Sequence, residues 1–251
     1  MSAIGAVLYR ESRIRATNIT FIFWDLCYPL LYMLVFGVGI NYGLVGEASL
    51  GGGDYNSFFL AGALGMASFG IASNTSWSFF MDRDNGIFYE MLTYPLGRAQ
   101  YLFGKVTFNL FVSVVQAAVA VGLGSMLLHV KLHWVTLPLL AVGVVIGAAG
   151  WFFFYAIFAL MIRRNDIFNS VTSVFYFVFL FASSMFYPLG PLPKWFRTMA
   201  LANPITWEVD FLRYTSVGMG IAREVWIEAA AFVAFSIVSF AYAVRCLQRQ
   251  E

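Results

Sequence analysis

The chain has 251 residues; 61% are hydrophobic, 19% aromatic and only 11% charged, and the formal net charge is +2. Soluble domains carry about 25% charged residues, so a water-soluble fold would have nowhere to place this much apolar surface, and lipid is the natural solvent. The small net charge, without any Lys/Arg run, argues against a nucleic-acid partner. Cys27 in an apolar segment and Cys246 near the C-terminus argue against a disulfide framework.

Residues 3–20 read as a helix lying on the membrane surface. Ile4, Val7, Leu8 and Ile14 share an apolar face, Arg10 and Arg13 point away from it, and Glu11 can pair with Arg15. A disordered tail is the alternative. No small-residue cleavage site follows a compact apolar core, so a cleavable signal is not expected. A first span covers residues 21–44, with Asp25 and Pro29 near its start, where Asp25 can reach water or a partner helix. A glycine-rich loop, 46–53, leads to a second span, 54–80. Its small residues, among them Ala61, Gly62, Gly65 and Gly70, allow close helix contact. Residues 81–105 form a polar stretch. A third span, 101–128, and a fourth, 134–162, flank a tight turn from His129 to His133; Gly143 and Gly147 in the fourth form a small-xxx-small pair. After Arg163-Arg164-Asn165-Asp166 comes a fifth span, 167–186, and after a long irregular segment a sixth, 224–244. Each can cross roughly 30 Å of hydrocarbon at about 1.5 Å per residue. The expected fold is therefore an all-α integral membrane bundle of six spans.

Orientation follows from Lys/Arg placement. With the N-terminus inside, Arg10, Arg13, Arg15, Arg83, Arg98, Lys105, Arg163, Arg164, Arg245 and Arg249 are inner, and Lys131, Lys194, Arg197, Arg213 and Arg223 are outer. Ten against five puts both termini in the cytoplasm.

Two segments exceed what a simple bundle needs. The inner one, 80–105, mixes Asp82, Arg83, Asp84 and Glu90 with the apolar anchors Ile87, Phe88, Met91 and Leu92. Asp84 or Asn85 can cap a short helix that Pro95-Leu96-Gly97 ends. Such an amphipathic helix either docks into a groove on a soluble partner or lies on lipid. The outer segment, 185–213, is broken by Pro188, Pro191, Pro193 and Pro204, and between the breaks 194–201 and 205–214 read as short helices. A broken apolar segment after a span is expected to be a re-entrant pair, which survives only where protein or water satisfies its backbone. Glu208, Asp210 and Arg213 can pair there. An ordinary outer loop with a structural ion pair is the alternative.

At these two segments the chain resembles the ABC-2 family of ABC-transporter permeases. The outer segment is similar to the family's closing signature: Pro188, Leu192-Pro193, Trp195, Asn203-Pro204-Ile205-Thr206, then Asp210 and Arg213. The inner segment is similar to its Gly-x-x-Glu-x-Leu-x-x-Pro-Leu block through Glu90, Leu92 and Pro95-Leu96; Gly86 precedes Glu90 by one residue more than the block has, and Asn85 stands where a Lys is usual. The start of span one, Phe21 to Pro29, looks closer to the drug, lipid and lipo-oligosaccharide branch than to the O-antigen branch.

The resemblance implies a bacterial inner-membrane exporter subunit that pairs with a second copy of itself and with a separate ABC ATPase. ATP and Mg would sit on that partner, with no cofactor on this chain. It implies ATPase coupling through Arg10, Arg13, Asp82, Arg83, Asp84, Glu90 and Pro95, and an outer gate at Pro188, Pro193, Trp195, Asn203, Pro204, Glu208, Asp210 and Arg213. Asp25, Tyr28, Phe175 and Phe179 are candidates for a substrate path, although aromatic runs such as those around Phe175 more often face lipid or pack between helices.

The residues themselves leave little room for chemistry. Between Gly97 and Gly104-Lys105 lie six residues where a phosphate loop needs four, and Val106 stands in place of Ser/Thr, so the chain is not expected to hydrolyse ATP. His129 and His133 lack a ligand or general-base partner set, so neither a metal nor a catalytic site is expected. An exporter permease for a drug, lipid, glycolipid or polysaccharide, including an O-antigen or teichoic-acid type, competes with a lipid-modifying membrane enzyme and a passive channel. The enzyme would need several ionisable residues at shared depth; the channel would lack the inner helix.

Overall fold

A computed structural model of the chain describes residues 3–18, 20, 23, 27, 31, 32, 35 and 55–249. The expected first span lies almost wholly outside these residues, and with it Asp25 and Tyr28.

The surface helix α1 runs Ala3–Thr17. Val7 is its buried contact and sits against Gly104, where a Cβ would come within 2.6 Å of the valine side chain. The central helix α2, Tyr55–Asp84, is 30 residues of small and aromatic side chains and is buried over most of its length. It continues through Met81–Asp84, which corrects the sequence reading of 81–105 as one polar stretch: Asp82 and Arg83 belong to a buried helix end. Gly86 then takes a left-handed φ of 78° as N-cap of the short helix α3, Ile87–Met91, without a side-chain cap. The expected Asp84 or Asn85 cap is thus replaced by a glycine turn, the conformation glycine adopts at least cost.

Helix α4, Arg98–Leu127, opens where Gln100 reaches back to accept the Gly97 N–H at 2.9 Å. A 3-10 turn, Trp134–Thr136, leads into α5, Leu137–Met161, with Pro138 in its first turn, where no N–H partner is lost. Helix α6, Asn165–Phe181, has 17 residues, about 26 Å, short of the expected span to 186. Its end is fixed from elsewhere: Asn203 Nδ2 donates to the Phe179 and Ala182 carbonyls at 2.8 and 2.6 Å, and the Tyr187 hydroxyl donates to the Phe181 carbonyl. Side chains thus meet the terminal carbonyls that further helix would have met.

The short helices α7, Lys194–Leu201, and α8, Pro204–Val217, follow. Asn203 caps α8 by accepting the Ile205 N–H at 3.0 Å, Pro204 occupies its first turn, and Gly218 closes it at φ 74°. Helix α9 is Ala222–Gln248. Among the described residues, α2, α4, α5 with its leading turn, and α9 are long and apolar enough to cross a membrane. The bundle is built around α2, which packs on α5, α4 and α8, while α9 covers α5 and α8.

Candidate functional site

At the α1 end of the bundle the ionisable residues gather inside rather than outside. The Asp82 carboxylate receives both Arg10 guanidinium nitrogens at 2.6 and 3.1 Å, Lys105 Nζ at 2.5 Å and the Tyr101 hydroxyl at 2.5 Å. Glu11 meets Arg10 at 2.9 Å and Lys105 at 3.0 Å. Lys105 has no exposed surface. Burial opposes the Arg10 charge, but the contacts with Asp82 outweigh it and raise its pKa above the ordinary arginine value. Arg83 donates to the Leu160 carbonyl at 2.6 Å and to the Ile162 carbonyl, fastening α2 to the end of α5.

The sequence reading placed Arg10 on an outward face and grouped Arg10, Asp82 and Arg83 as partner contacts. In the structure Arg10 turns to Asp82 and Glu11, and the three residues are paired within the chain, because a desolvated charge needs its counter-charge close by. Arg13, Asp84, Glu90 and Pro95 stay exposed. Around Glu90, Tyr89 and Tyr94 also face outward. Phe88 anchors this rim, edge-on to Phe79 at 5.6 Å and to Tyr101 at 5.3 Å between ring centroids.

At the opposite end, α8 threads back into the bundle. Arg213 pairs with Asp210, as the spacing implied, donates to the Ser184 carbonyl at 2.9 Å and lies 3.8 Å from the centroid of the Phe58 ring. Ser184 also donates to Asp210 at 2.8 Å. Glu208 does not join this pair. Its buried carboxyl accepts Ser68 Oγ and Trp151 Nε1, each at 2.5 Å, and so ties α8 to α2 and α5 deep in the bundle. Gly147 makes room for it: a Cβ there would collide with the Glu208 carboxyl. Gly147→Ala is therefore expected to overpack the seat and cost about 1–3 kcal/mol, read as a lowered Tm in detergent; an unchanged Tm would contradict the close approach.

Of the other outer residues, Pro193 and Trp195 lie exposed at the start of α7, Pro188 is half-buried, and Asn203 and Pro204 form the α7–α8 corner. Composition carried no sign that Ser68, Trp151 and Ser184 would be their partners; only the fold brings them together.

Between α2 and α6 lies a cavity of about 420 Å³, lined by Ser73, Asn74, Trp77, Asn169, Thr172 and Tyr176 among others. Phe175 and Phe179 are on another face of α6, where Phe154 lies 6.0 and 5.6 Å from their ring centroids. Hydroxyls, amides and aromatic rings in one recess suit an amphipathic molecule.

The family model for the ABC-2 type transporter matches residues 2–216. Proteins carrying the transport-permease name ycf38 are similar to the chain. That of Porphyra purpurea is 25% identical over 191 residues and that of Cyanophora paradoxa 26% over 194, each match covering 74% of this chain. The matches span 64% of those relatives' own length.

Proposed function

Because the chain belongs to the ABC-2 type transporter family, we propose that it is the membrane-spanning permease of an ATP-driven exporter, with six spans and both termini in the cytoplasm of a bacterial cell. It works as a pair of copies with a separate ABC ATPase that holds ATP and Mg, and moves an amphipathic or lipid-linked substrate outward. The observation that carries this reading is the exposed rim of Tyr89, Glu90, Tyr94 and Pro95, seated on a rigid base. Phe88 turns into the protein and anchors the short helix, which leaves Tyr89, Glu90 and Tyr94 exposed as contact side chains for a soluble partner.

The linkage behind the rim gives a mechanism. Asp82 joins α1, α2 and α4, so a push on α3 moves them together. Helix α2 carries α8 through Ser68–Glu208 and through Arg213 on Phe58. Closure of the ATPase pair would shift α2 and with it the re-entrant pair α7–α8, opening a route past the α2–α6 cavity. The substrate enters at that cavity with its polar part among the hydroxyls and amides.

Co-purification with the ATPase tests the docking role. Glu90→Ala, with Tyr89→Ala, is expected to weaken assembly about tenfold or more, the scale of one interface anchor, at unchanged yield of the permease. Full assembly of the double variant would overturn the assignment of this rim.

A further inference from the structure

On α4, Lys105, Asn109, Ser113 and Gln116 recur at helical spacing, and all four are buried, none more than 3% exposed. Lys105 is answered by Asp82, Glu11 and the Ser78 hydroxyl. Above it the answers run out. Asn109 donates to the Ala148 carbonyl at 3.0 Å, but its Oδ1 has no hydrogen-bond partner; nor has Ser113 Oγ, nor either end of the Gln116 amide. Because both amide atoms of Gln116 are unmet, turning the amide over does not help. Ser76 on α2, also fully buried, has an unmet hydroxyl as well.

The register between the two helices shows where this seam leads. Helices α2 and α4 run antiparallel, with Lys105 on Ser78 at one end and Gly124 against Leu60 at the other. Gln116 is eleven residues beyond Lys105, and Ser68 is ten residues before Ser78; both therefore stand about 15–17 Å along. Ser68 is the hydroxyl that donates to Glu208. Past this level the buried positions of α4 are Ala120 and Gly124, and the buried residues of α2 from Ala67 back to Phe58 are all apolar. The polar seam thus begins at the Lys105 cluster and ends at the level of Glu208.

Hydrocarbon cannot satisfy an amide or a hydroxyl, and buried polar groups in native proteins find a partner, often ordered water. The seam offers donors and acceptors within one helical stripe and adds no carboxylate or imidazole of its own above Lys105, which fits water and not a metal ion. We propose that the buried polar stripe of α4, where it packs on α2 and α5, is an internal water site, a short file of bound water that joins the Lys105–Asp82 cluster to Glu208. Water there gives the Glu208 carboxyl a replacement partner when α8 moves, so the bonds to Ser68 and Trp151 can break without leaving a bare carboxyl in the bilayer. That consequence rests on the gate reading of α8; the water site does not.

X-ray hydroxyl-radical labelling of the full chain in lipid nanodiscs, in 18O-water, tests it. Trp151 and Tyr101 have no exposed surface, so radicals reach them only from water bound inside. Both are expected to take up 18O. Asn109→Leu with Gln116→Leu is expected to cut Trp151 labelling several-fold and to leave the exposed Trp134 and Trp195 unchanged. The single variant Gln116→Met, close in shape, should lower Trp151 labelling in the same direction should the double variant misfold. Absence of label on Trp151 in the unsubstituted chain, or labelling indifferent to the Gln116 substitution, would overturn the proposal. Neither result bears on ATPase docking, which is read by co-purification, so failure of one leaves the other standing.

Discussion

Asp82→Ala is expected to lower the stability of the chain by about 3–5 kcal/mol, the cost of breaking a buried ion pair from one side. Alanine removes the one carboxylate that Arg10, Lys105 and Tyr101 share. Lys105 has no surface open to bulk solvent, and Glu11 alone would then face two cations. Since folded domains hold only about 5–15 kcal/mol, the variant should show a sharply lowered Tm and poor yield from detergent. Asp82→Leu combined with Lys105→Met should recover much of the loss, because removing both charges leaves neither stranded. A Tm within a degree or two of the unsubstituted protein would mean that Asp82 does not hold the cluster together.

Arg213→Ala should cost about 2–4 kcal/mol. The upper bound for a buried pair is reduced here because the Asp210 side chain keeps 22% of its surface exposed and can be hydrated after the loss. The guanidinium does three jobs at once: it neutralises Asp210, answers the Ser184 carbonyl in the unwound segment after α6, and stacks on Phe58. Lysine supplies the charge but not the planar fork, so Arg213→Lys should recover only part of the loss. Thermal melts and folded yield measure both. Folded yield kept at the unsubstituted level in Arg213→Ala, with export abolished, would instead place Arg213 in the opening motion and not in the scaffold.

The sequence carried the coarse plan well. Runs of apolar residues gave the long helices, since length and hydropathy suffice for those, and Pro193 and Pro204 marked the starts of α7 and α8 because a proline acts locally. What it could not carry was depth and direction. Asp82 and Arg83 look like an exposed charged loop until α2 is seen to run on to Asp84. Asp82 meets Arg10 and Lys105, 72 and 23 positions away along the chain, and Arg83 meets the Leu160 and Ile162 carbonyls, 77 and 79 positions away. In sequence Glu208 groups with the Asp210–Arg213 pair because it lies in the same short helix. Its actual partners, Ser68 and Trp151, come from two other helices, and a glycine at 147 is the only local trace of the approach. Phe175 and Phe179, candidates from an aromatic run, pack by Phe154, and the recess on another face of α6 is lined by Asn169, Thr172 and Tyr176, which no such run marks.

On the proposed function, the exposed α3 rim transmits work from a separate ATPase. The ATP hydrolysis rate of the co-purified ABC ATPase, measured in liposomes alone, with this chain, and with the Glu90→Ala chain, reads this directly. The rate is expected to rise with the unsubstituted chain and to return toward the ATPase-alone value with Glu90→Ala. The same rate in all three preparations would contradict it.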